Sequence, residues 1–248
     1  MPAERRKSYA IYVTFLTGSM AAIRIPLSVL TARLLEEWAI RATLLLNQGR
    51  QATPQFSITM TIREQQRAGE WYAARGDSQM INELYQCEQA CYEINQIPPS
   101  RRDERNERIR QLFGKAGSAL NVNTPFHCDF GKNIEVGNYF FANFNLIILD
   151  ENRVIFGHHV YIGPNCSFYT AIHPLDVERR NADIQKALPI HVGDNVWIGG
   201  NVTVLPGVRI GSGSTIGAGS VVTHDIPDGV LAAGNPARVI RKIEDGDK

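Results

Sequence analysis

A six-residue period in the last third of the sequence restricts the possible fold more than any other feature. A first register of positions is β-branched at every sixth residue: Val192, Ile198, Val204, Ile210, Ile216 and Val222. A second register lies two positions before the first. It is apolar at Ile190 and at every sixth residue to Val208, and serine follows at Ser214 and Ser220. Six residues are too few for a pair of helices, and the spacing is too regular for a β-sandwich. The period therefore predicts a solenoid of short strands.

Each six-residue unit can supply a short strand with inward side chains and then a tight corner. Glycine or asparagine at such a corner can adopt a positive φ at little steric cost. Glycine follows the first register at four places: Gly193, Gly199, Gly211 and Gly217. Stacked units would join their backbone hydrogen bonds from coil to coil, about 4.8 Å apart. We therefore predict a parallel β-helix.

The same period extends toward the N-terminus in two blocks. Phe156, Ile162 and Phe168 keep the phase of the later run. An earlier block, also spaced by six, is displaced in phase and predicts a small insertion near 150–153: Val136, Ala142 and Ile148. Between Phe168 and Ile190 the pattern is lost, and this gap contains the stretch YTAIHPLDVERR. We expect it to leave the coil as a protruding loop, residues 169–189.

Helical periodicity is found upstream, from Thr61 to about Phe113. Apolar and cysteine side chains recur three or four apart through Cys87 and Cys91, which are typical of a packed apolar pair rather than a zinc knuckle. Pro98 and Pro99 end this pattern, and Ser100 is a candidate N-cap for a second, charge-rich helix. Two helices packed on the β-helix are expected.

Composition excludes some classes of partner. The 248 residues carry a formal net charge of +1 and are 44% hydrophobic, which predicts a globular protein and disfavours nucleic acid. Four scattered cysteines do not form a disulfide framework, so free thiols and a cytoplasmic location are expected.

Residues 1–59 do not fit this scheme. A basic start, MPAERRK, precedes the uncharged run SYAIYVTFLTGSMAAI, which is shorter than the roughly 20 residues that cross a bilayer. Secretion signal, poor membrane helix, helical extension and upstream sequence before a true start at Met60 all stay open. Membrane contact through this segment is not expected but is not excluded.

The loop contains a residue suited to proton transfer. A loop that leaves a rigid solenoid often carries a site, and the imidazole of His173 can accept a proton near neutral pH. The alternative is that a histidine before Pro174 only shapes a turn. Four histidines show no zinc-type spacing, so no protein-bound metal is expected: His158, His159, His173 and His191.

Several motifs together resemble one family. The stretches AGEWY, CYEIN, FHCDFGKNIEVGNYFFANFN, YTAIHPLD, VWIGGNVTVLPGVRIG and GNPARVIRKI are similar to those of the maltose and galactoside O-acetyltransferases of the hexapeptide-repeat superfamily. The resemblance covers Thr61 to about Ile243. It implies a left-handed parallel β-helix with a short helical N-terminal region, and a homotrimer with active sites between subunits. It also implies transfer of an acetyl group from acetyl-CoA to a sugar hydroxyl.

The resemblance also assigns roles to residues on the acceptor side. His173 matches the catalytic histidine, which implies direct general-base transfer. Asn143, Glu151 and Asp129 match acceptor-binding positions, with glutamate at 151 in place of the galactoside enzymes' aspartate; turn chemistry is the alternative for Asn143 and Asp129. A further acidic contact aligns near AARGD, where Asp77 is a nearby substitute and Ala74 is an alternative occupant.

On the donor side the resemblance implies contacts with the cofactor along one groove. The matched positions are Trp197, Gly200, Ala218, Thr223, His224, Arg238 and Arg241. His224 replaces the usual lysine and would be a weaker, pH-dependent phosphate partner. The two arginines match the basic end that meets the nucleotide phosphates.

The sequence therefore predicts four segments: an N-terminal extension (1–59), a helical region (60–117), a β-helix acetyltransferase domain (118–243) and a tail (244–248). Two alternatives stay open. One is an acyltransferase with another acceptor, such as a chitin-oligosaccharide signal or a surface polysaccharide. The other is a non-catalytic β-helix scaffold.

Overall fold

A computed structural model describes residues 8–14, 20–26 and 60–244. Two compact units divide the chain between Glu64 and Gln65. In the first unit, β1 (Ser8–Thr14) and β2 (Met20–Pro26) form an antiparallel pair. This pair differs from the helical extension considered above, and the rest of the predicted 1–59 segment lies outside the described residues. Within the described part of the chain, no helix is long and apolar enough to span a bilayer.

The helical region contains three helices: α1 (Ile62–Ala68), α2 (Ser78–Asn95) and α3 (Arg102–Leu112). The pattern that predicted continuous helix from Thr61 is interrupted, because Gly69 adopts a φ of 75° and a short strand, β3 (Tyr72–Ala73), follows. Ser100 is not the cap of α3. It lies in a 3-10 turn (Pro99–Arg101), and α3 begins without a side-chain cap.

Helix α2 packs against the β-helix through one face, as its periodicity predicts. Its buried side chains are Met80, Cys87, Cys91 and Ile94. The last three join the same hydrophobic core as the coils, so Cys87 and Cys91 form the predicted packed pair. The other two cysteines are Cys128 and Cys166, and all four are free and buried.

Three parallel sheets form the faces of the β-helix. Sheet A contains β4 (Lys115–Ala116), β7 (Ile134–Val136), β10 (Val154–Phe156), β15 (Ile190–Val192) and β18 (Arg209–Ile210). Sheet B contains β5 (Asn121–Val122), β8 (Phe141–Ala142), β11 (Tyr161–Ile162), β16 (Trp197–Ile198), β19 (Thr215–Ile216), β21 (Val230–Gly234) and β22 (Ala237–Lys242), the last antiparallel. Sheet C contains β6 (Phe126–Cys128), β9 (Leu146–Leu149), β12 (Ser167–Tyr169), β17 (Thr203–Val204) and β20 (Val221–Val222).

The chain visits sheets A, B and C in turn, and both predicted registers point inward. All residues of the first register are buried. All residues of the second register are buried too, including Ser214 and Ser220. Val192 pairs with Ile210, eighteen positions later, which is three six-residue units per coil. The predicted parallel β-helix is confirmed.

Each corner of the coil has two parts that the sequence analysis combined into one. The glycines after the first register are needed for close approach: an added Cβ at Gly199 would lie 2.7 Å from the backbone nitrogen of Ala218 in the next coil. The positive φ falls two residues later, at Asn195, Asn201, Gly213 and Gly219. Asparagine and glycine tolerate this conformation best, so both positions of each corner are restricted.

The phase displacement reflects longer early coils. Val136 pairs with Phe156, twenty positions later, instead of eighteen. The extra residues form turns around the buried carboxylate of Asp150, which accepts hydrogen bonds from the backbone nitrogens of Phe130 at 2.8 Å, Asp129 at 3.0 Å and Asn133 at 3.3 Å. The predicted insertion near 150–153 is confirmed.

The gap after Phe168 forms a protruding loop with its own structure. It contains β13 (Ala171–Ile172), α4 (Val177–Asn181) and β14 (Ile184–Ala187). Strand β14 pairs antiparallel with both β13 and β3, so the loop folds onto the helical region.

Candidate active site

The predicted site residues fall into two groups at different corners of the β-helix. One group follows the strands of sheet C, and we call it the histidine column: Asp129, Glu151, His173, Thr223 and His224. The other lies on sheet B and at the corner after it, and we call it the tryptophan column: Asn143, Trp197, Gly200, Ala218, Arg238 and Arg241. Within one chain, each coil therefore separates residues that were predicted to act together.

The loop holds His173 directly after β13, with its side chain exposed. The Asp176 side chain caps α4 by accepting from the backbone nitrogen of Arg179 at 2.8 Å. Arg180 donates to the backbone oxygens of Pro174 at 3.1 Å and Leu175 at 3.2 Å. The backbone after His173 is therefore fixed from within the loop, while its imidazole is open to solvent.

The carboxylate of Glu151 is held by two side chains from elsewhere in the sequence. Its Oε2 accepts from the hydroxyl of Tyr72 and from Nε2 of Gln185. Ile172 pairs with Lys186, so the next positions along this register are His173 and Gln185. The pairing itself ends at Ile172 and Lys186, so it brings the backbone near His173 close to that of Gln185 without fixing the direction of the imidazole.

Sequence reasoning missed Tyr72 and Gln185. Tyr72 is buried within the AGEWY motif, and Gln185 is buried in the loop. Burial raises the pKa of Tyr72, and the charge of Glu151 adds to the effect, so this hydroxyl stays protonated and donates. A buried glutamine on a strand that returns from the loop is the signal that could have indicated a role.

Two further carboxyl groups lie next to Glu151. Burial, together with the charges of Asp150 and Glu151, raises the pKa of Asp129 to about 7, and burial is the largest cause. Burial also raises the pKa of Asp150 to about 6, although backbone donors partly offset the effect. Near neutral pH, Asp129 can therefore donate or accept a hydrogen bond, which suits recognition of a hydroxyl group.

The tryptophan column begins at a cavity on sheet B. Trp197 pairs in register with Tyr161 and Thr215, and its side chain is 59% exposed. A cavity of about 470 Å³ is lined by Phe141, Asn143, Tyr161, Ile162, Gly163 and Trp197. Three of the six lining residues are aromatic, and Asn143 and Tyr161 carry polar groups, so the lining suits an amphipathic ligand.

The amide of Asn143 also participates in local structure. Its Oδ1 accepts from the backbone nitrogen of Phe144 at 2.9 Å, which is the turn role weighed above. Its position in the cavity wall keeps acceptor contact open, so both interpretations stand. A second cavity of about 630 Å³, on sheet A around His191 and Arg209, contains none of the predicted residues.

Small residues and then basic residues continue the tryptophan column. Gly200 and Ala218 lie at the same corner in successive coils. Because neither residue has a large side chain, the backbone at this corner is accessible. Arg241 pairs in register with Leu231, and Arg238 with Ala233, on the antiparallel strands β21 and β22. Both arginines are exposed, which is the condition for contact with phosphate oxygens.

The remaining predicted residues have local partners. The carboxylate of Asp77 is the N-cap of α2 and accepts from the backbone nitrogen of Met80 at 3.1 Å. Its proposed acceptor contact stays a prediction. Thr223 Oγ1 and His224 Nδ1 are 2.7 Å apart at the corner after β20.

Comparison with known proteins gives consistent matches over this part of the chain. Residues 67–117 match the maltose acetyltransferase hexapeptide capping motif, and residues 189–224 match the bacterial transferase hexapeptide model of six repeats. A Saccharomyces cerevisiae protein described as an acetyltransferase is 45% identical over 188 residues, covering 76% of this chain and 96% of the relative.

Two solved structures are similar in fold and sequence. The crystal structure of a maltose O-acetyltransferase from Clostridium difficile matches with a TM-score of 0.73 and 44% identity, over 75% of this chain and 99% of that one. A galactoside acetyltransferase in complex with coenzyme A matches with a TM-score of 0.74 and 40% identity, over 76% and 94%. In all three comparisons about three quarters of this chain is covered.

Proposed function

The chain belongs to the maltose and galactoside O-acetyltransferase family of hexapeptide-repeat acyltransferases, and from this membership we propose that it transfers an acetyl group from acetyl-CoA to a sugar hydroxyl. The observation that carries the proposal is the pair of columns. One holds an exposed histidine and a carboxylate fixed by two donors, and the other contains an aromatic cavity and two exposed arginines. A base, a polar acceptor surface and a phosphate-binding end are what this reaction requires.

His173 is the proposed general base. A sugar hydroxyl is a weak nucleophile, so it needs a base within hydrogen-bond reach as its oxygen attacks the thioester carbonyl carbon. The hydroxyl proton passes to the imidazole. When the carbon–sulfur bond breaks, the imidazolium returns that proton to the departing thiolate of CoA. No acetyl-enzyme intermediate is needed.

The acceptor sugar is proposed to bind between Glu151, Asp129 and Asn143. The carboxylate of Glu151 is fixed by two donors, so it can accept from a sugar hydroxyl without reorganising. Asp129 has a pKa of about 7, raised mainly by burial, so it can donate as well as accept. An amide adds one donor and one acceptor. Together these groups suit neighbouring hydroxyls.

The donor is proposed to lie along the tryptophan column. Trp197 would wall the pantetheine arm, and Gly200 and Ala218 would let it approach the backbone. Arg238 and Arg241 would meet the nucleotide phosphates, because guanidinium groups form paired hydrogen bonds with phosphate oxygens. Thr223 and His224 would contact the same cofactor from the other column.

A homotrimer is part of this proposal, and the separation of the columns supports a site shared between copies. Neither acceptor nor donor residues are gathered at one corner of a single chain, so a neighbouring copy is proposed to bring its tryptophan column to the histidine column of the first. A cytoplasmic location also stays part of the proposal, since four free cysteines suit a reducing compartment.

A sugar panel with acetyl-CoA would test this proposal. Release of CoA thiol with maltose, glucose or a galactoside supports it, and turnover only with a chitin oligosaccharide or a surface polysaccharide would replace the acceptor. His173→Ala should lower kcat by about two to four orders of magnitude. The matched control is His159→Ala, at a corner outside both columns. Absence of turnover with every acceptor would favour the non-catalytic scaffold.

A further inference from the structure

Three cysteines meet under helix α2, outside both columns. Cys87 and Cys91 lie one helical turn apart on the buried face of α2, and Cys128 ends strand β6 beneath them. The Sγ atom of Cys128 is 3.5 Å from that of Cys87 and 3.8 Å from that of Cys91. All three sulfurs lie within 4.8 Å of one another.

These distances suit three bonds to one central atom. A centre about 2.3 Å from each sulfur, the usual metal–thiolate distance, places the sulfurs about 4 Å apart in a flat triangle and closer together in a pyramid. The observed separations need little movement to reach either geometry. Among the described residues, the cluster contains no fourth cysteine, histidine or carboxylate ligand, so closed tetrahedral zinc coordination is not provided.

Burial and the nearby carboxylate of Asp150 favour a central atom whose charge balances the three thiolates. Cys128 directly precedes Asp129 and Phe130, whose backbone nitrogens donate to the buried carboxylate of Asp150. Three thiolates around a monovalent cation would leave two negative charges in the core, close to the carboxylate of Asp150. Buried uncompensated charge is costly. A trivalent centre with three thiolates is neutral.

We propose that Cys87, Cys91 and Cys128 form a three-coordinate site for a trivalent thiophilic metalloid of the arsenic(III) class. Arsenous acid has three As–OH bonds, and each is replaced by an As–S bond while the thiol proton leaves with the hydroxyl as water. Oxidation states do not change. The arsenic lone pair occupies the fourth direction, which matches a pyramid without a fourth ligand, and soft sulfur ligands suit a soft centre.

This site was not expected from the sequence, where histidine spacing predicted no bound metal. Cys128 lies 41 residues from Cys87 and 37 residues from Cys91 in the sequence. Sequence spacing therefore could not reveal the third cysteine. The inference does not depend on acetyl transfer.

The test uses the reduced full-length protein with arsenite as the probe, followed by desalting. We expect one arsenic per chain by native mass spectrometry. X-ray absorption of the wild-type complex should show three As–S bonds. Arsenite should also raise the thermal midpoint, since it binds the folded chain.

Two matched variants complete the experiment. Cys128→Ala should lower arsenite affinity at least tenfold, whereas Cys166→Ala, another buried cysteine, should leave it unchanged. Two As–S bonds in the wild-type protein, or equal affinity in Cys128→Ala, would overturn the proposal. Tighter binding of Cu(I) than of arsenite would overturn the charge argument. Because coordination is measured on the wild-type chain, the test survives a variant that fails to fold.

Discussion

At the scale of single residues, Asp129 is the carboxyl group whose environment most affects its protonation. Burial raises its pKa to about 7, and the nearby charges of Asp150 and Glu151 add to the effect. The unfolded chain has an aspartate pKa of about 3.9. The folded protein therefore binds this proton more tightly, and the stability contributed by the neutral form is lost as pH rises from about 4 through 7.

Asp129→Asn should remove this pH dependence, because the amide is neutral throughout. We expect the loss of unfolding free energy between pH 5 and pH 8 to be about 1–2 kcal/mol smaller than in the wild type, after allowance for partial solvent exposure. Denaturant titrations at the two pH values measure it. The exposed control Asp103→Asn should behave as the wild type; an unchanged pH profile in Asp129→Asn would contradict the assignment.

The sequence predicted Glu151 and His173 but not the residues that hold them. Motif positions identified the two side chains, and the partners of the Glu151 carboxylate were missed. Tyr72 and Gln185 are 79 and 34 residues from Glu151. Contacts at such separations follow from how the loop folds back, which no local pattern encodes.

At the scale of elements, the protruding loop is held at its base by Trp71. The guanidinium of Arg179 in α4 lies 4.8 Å from the centre of the indole ring, and the ammonium of Lys186 in β14 lies 4.9 Å from it. Each cation–π contact contributes about 0.5–1 kcal/mol when exposed. The helix of the loop and its returning strand are therefore both fixed to the segment before β3.

Trp71→Ala should loosen the loop without unfolding the β-helix. Loss of about 1–2 kcal/mol of local stabilisation corresponds to roughly a fivefold to thirtyfold increase in open loop. Hydrogen exchange should accelerate across residues 173–183 and stay unchanged in sheets A, B and C. Tyr92→Ala, an exposed aromatic on α2, is the control. Equal exchange in Trp71→Ala and the wild type would show that the ring does not hold the loop.

The last coil explains why serine replaces valine in the second register. Ser214 Oγ donates to the backbone oxygen of Pro227 at 2.8 Å and accepts from the backbone nitrogen of Val230 at 3.2 Å. Ser220 Oγ accepts from the backbone nitrogen of Gly234 at 3.1 Å. Both serines therefore satisfy backbone groups where the hexapeptide coil changes into the β21–β22 hairpin.

Ser214→Ala should destabilise this end of the solenoid. The change leaves the buried backbone nitrogen of Val230 and the part-buried backbone oxygen of Pro227 without this partner, at a cost of about 1–3 kcal/mol. Chemical denaturation measures the loss. Ser212→Ala removes a hydroxyl at an exposed corner and should cost less; an equal or smaller loss for Ser214→Ala would contradict the capping role.

At the scale of the whole molecule, periodicity predicted the β-helix because the six-residue unit is both the local strand and the global coil. The register of Val192 and its successors predicted which side chains point inward, whereas the three units per coil follow from the pairing of Val192 with Ile210. Longer early coils were predicted only as a phase change, since their extra residues depend on the buried Asp150 carboxylate. The interruption at Gly69 was missed, because helical periodicity continues on both sides of it.

Mixed assemblies would test whether the two columns come from different chains. His173→Ala breaks the histidine column, and Asn143→Ala breaks the tryptophan column, so each protein alone should have little activity. Random assembly of equal amounts makes a site from one intact column of each kind in about one quarter of cases, half times half. We therefore expect about one quarter of wild-type activity. The control mixture of His173→Ala with Glu151→Ala breaks every histidine column and should stay inactive. No recovery in the first mixture would place the whole site within one chain, and recovery in the control would assign His173 and Glu151 to different chains.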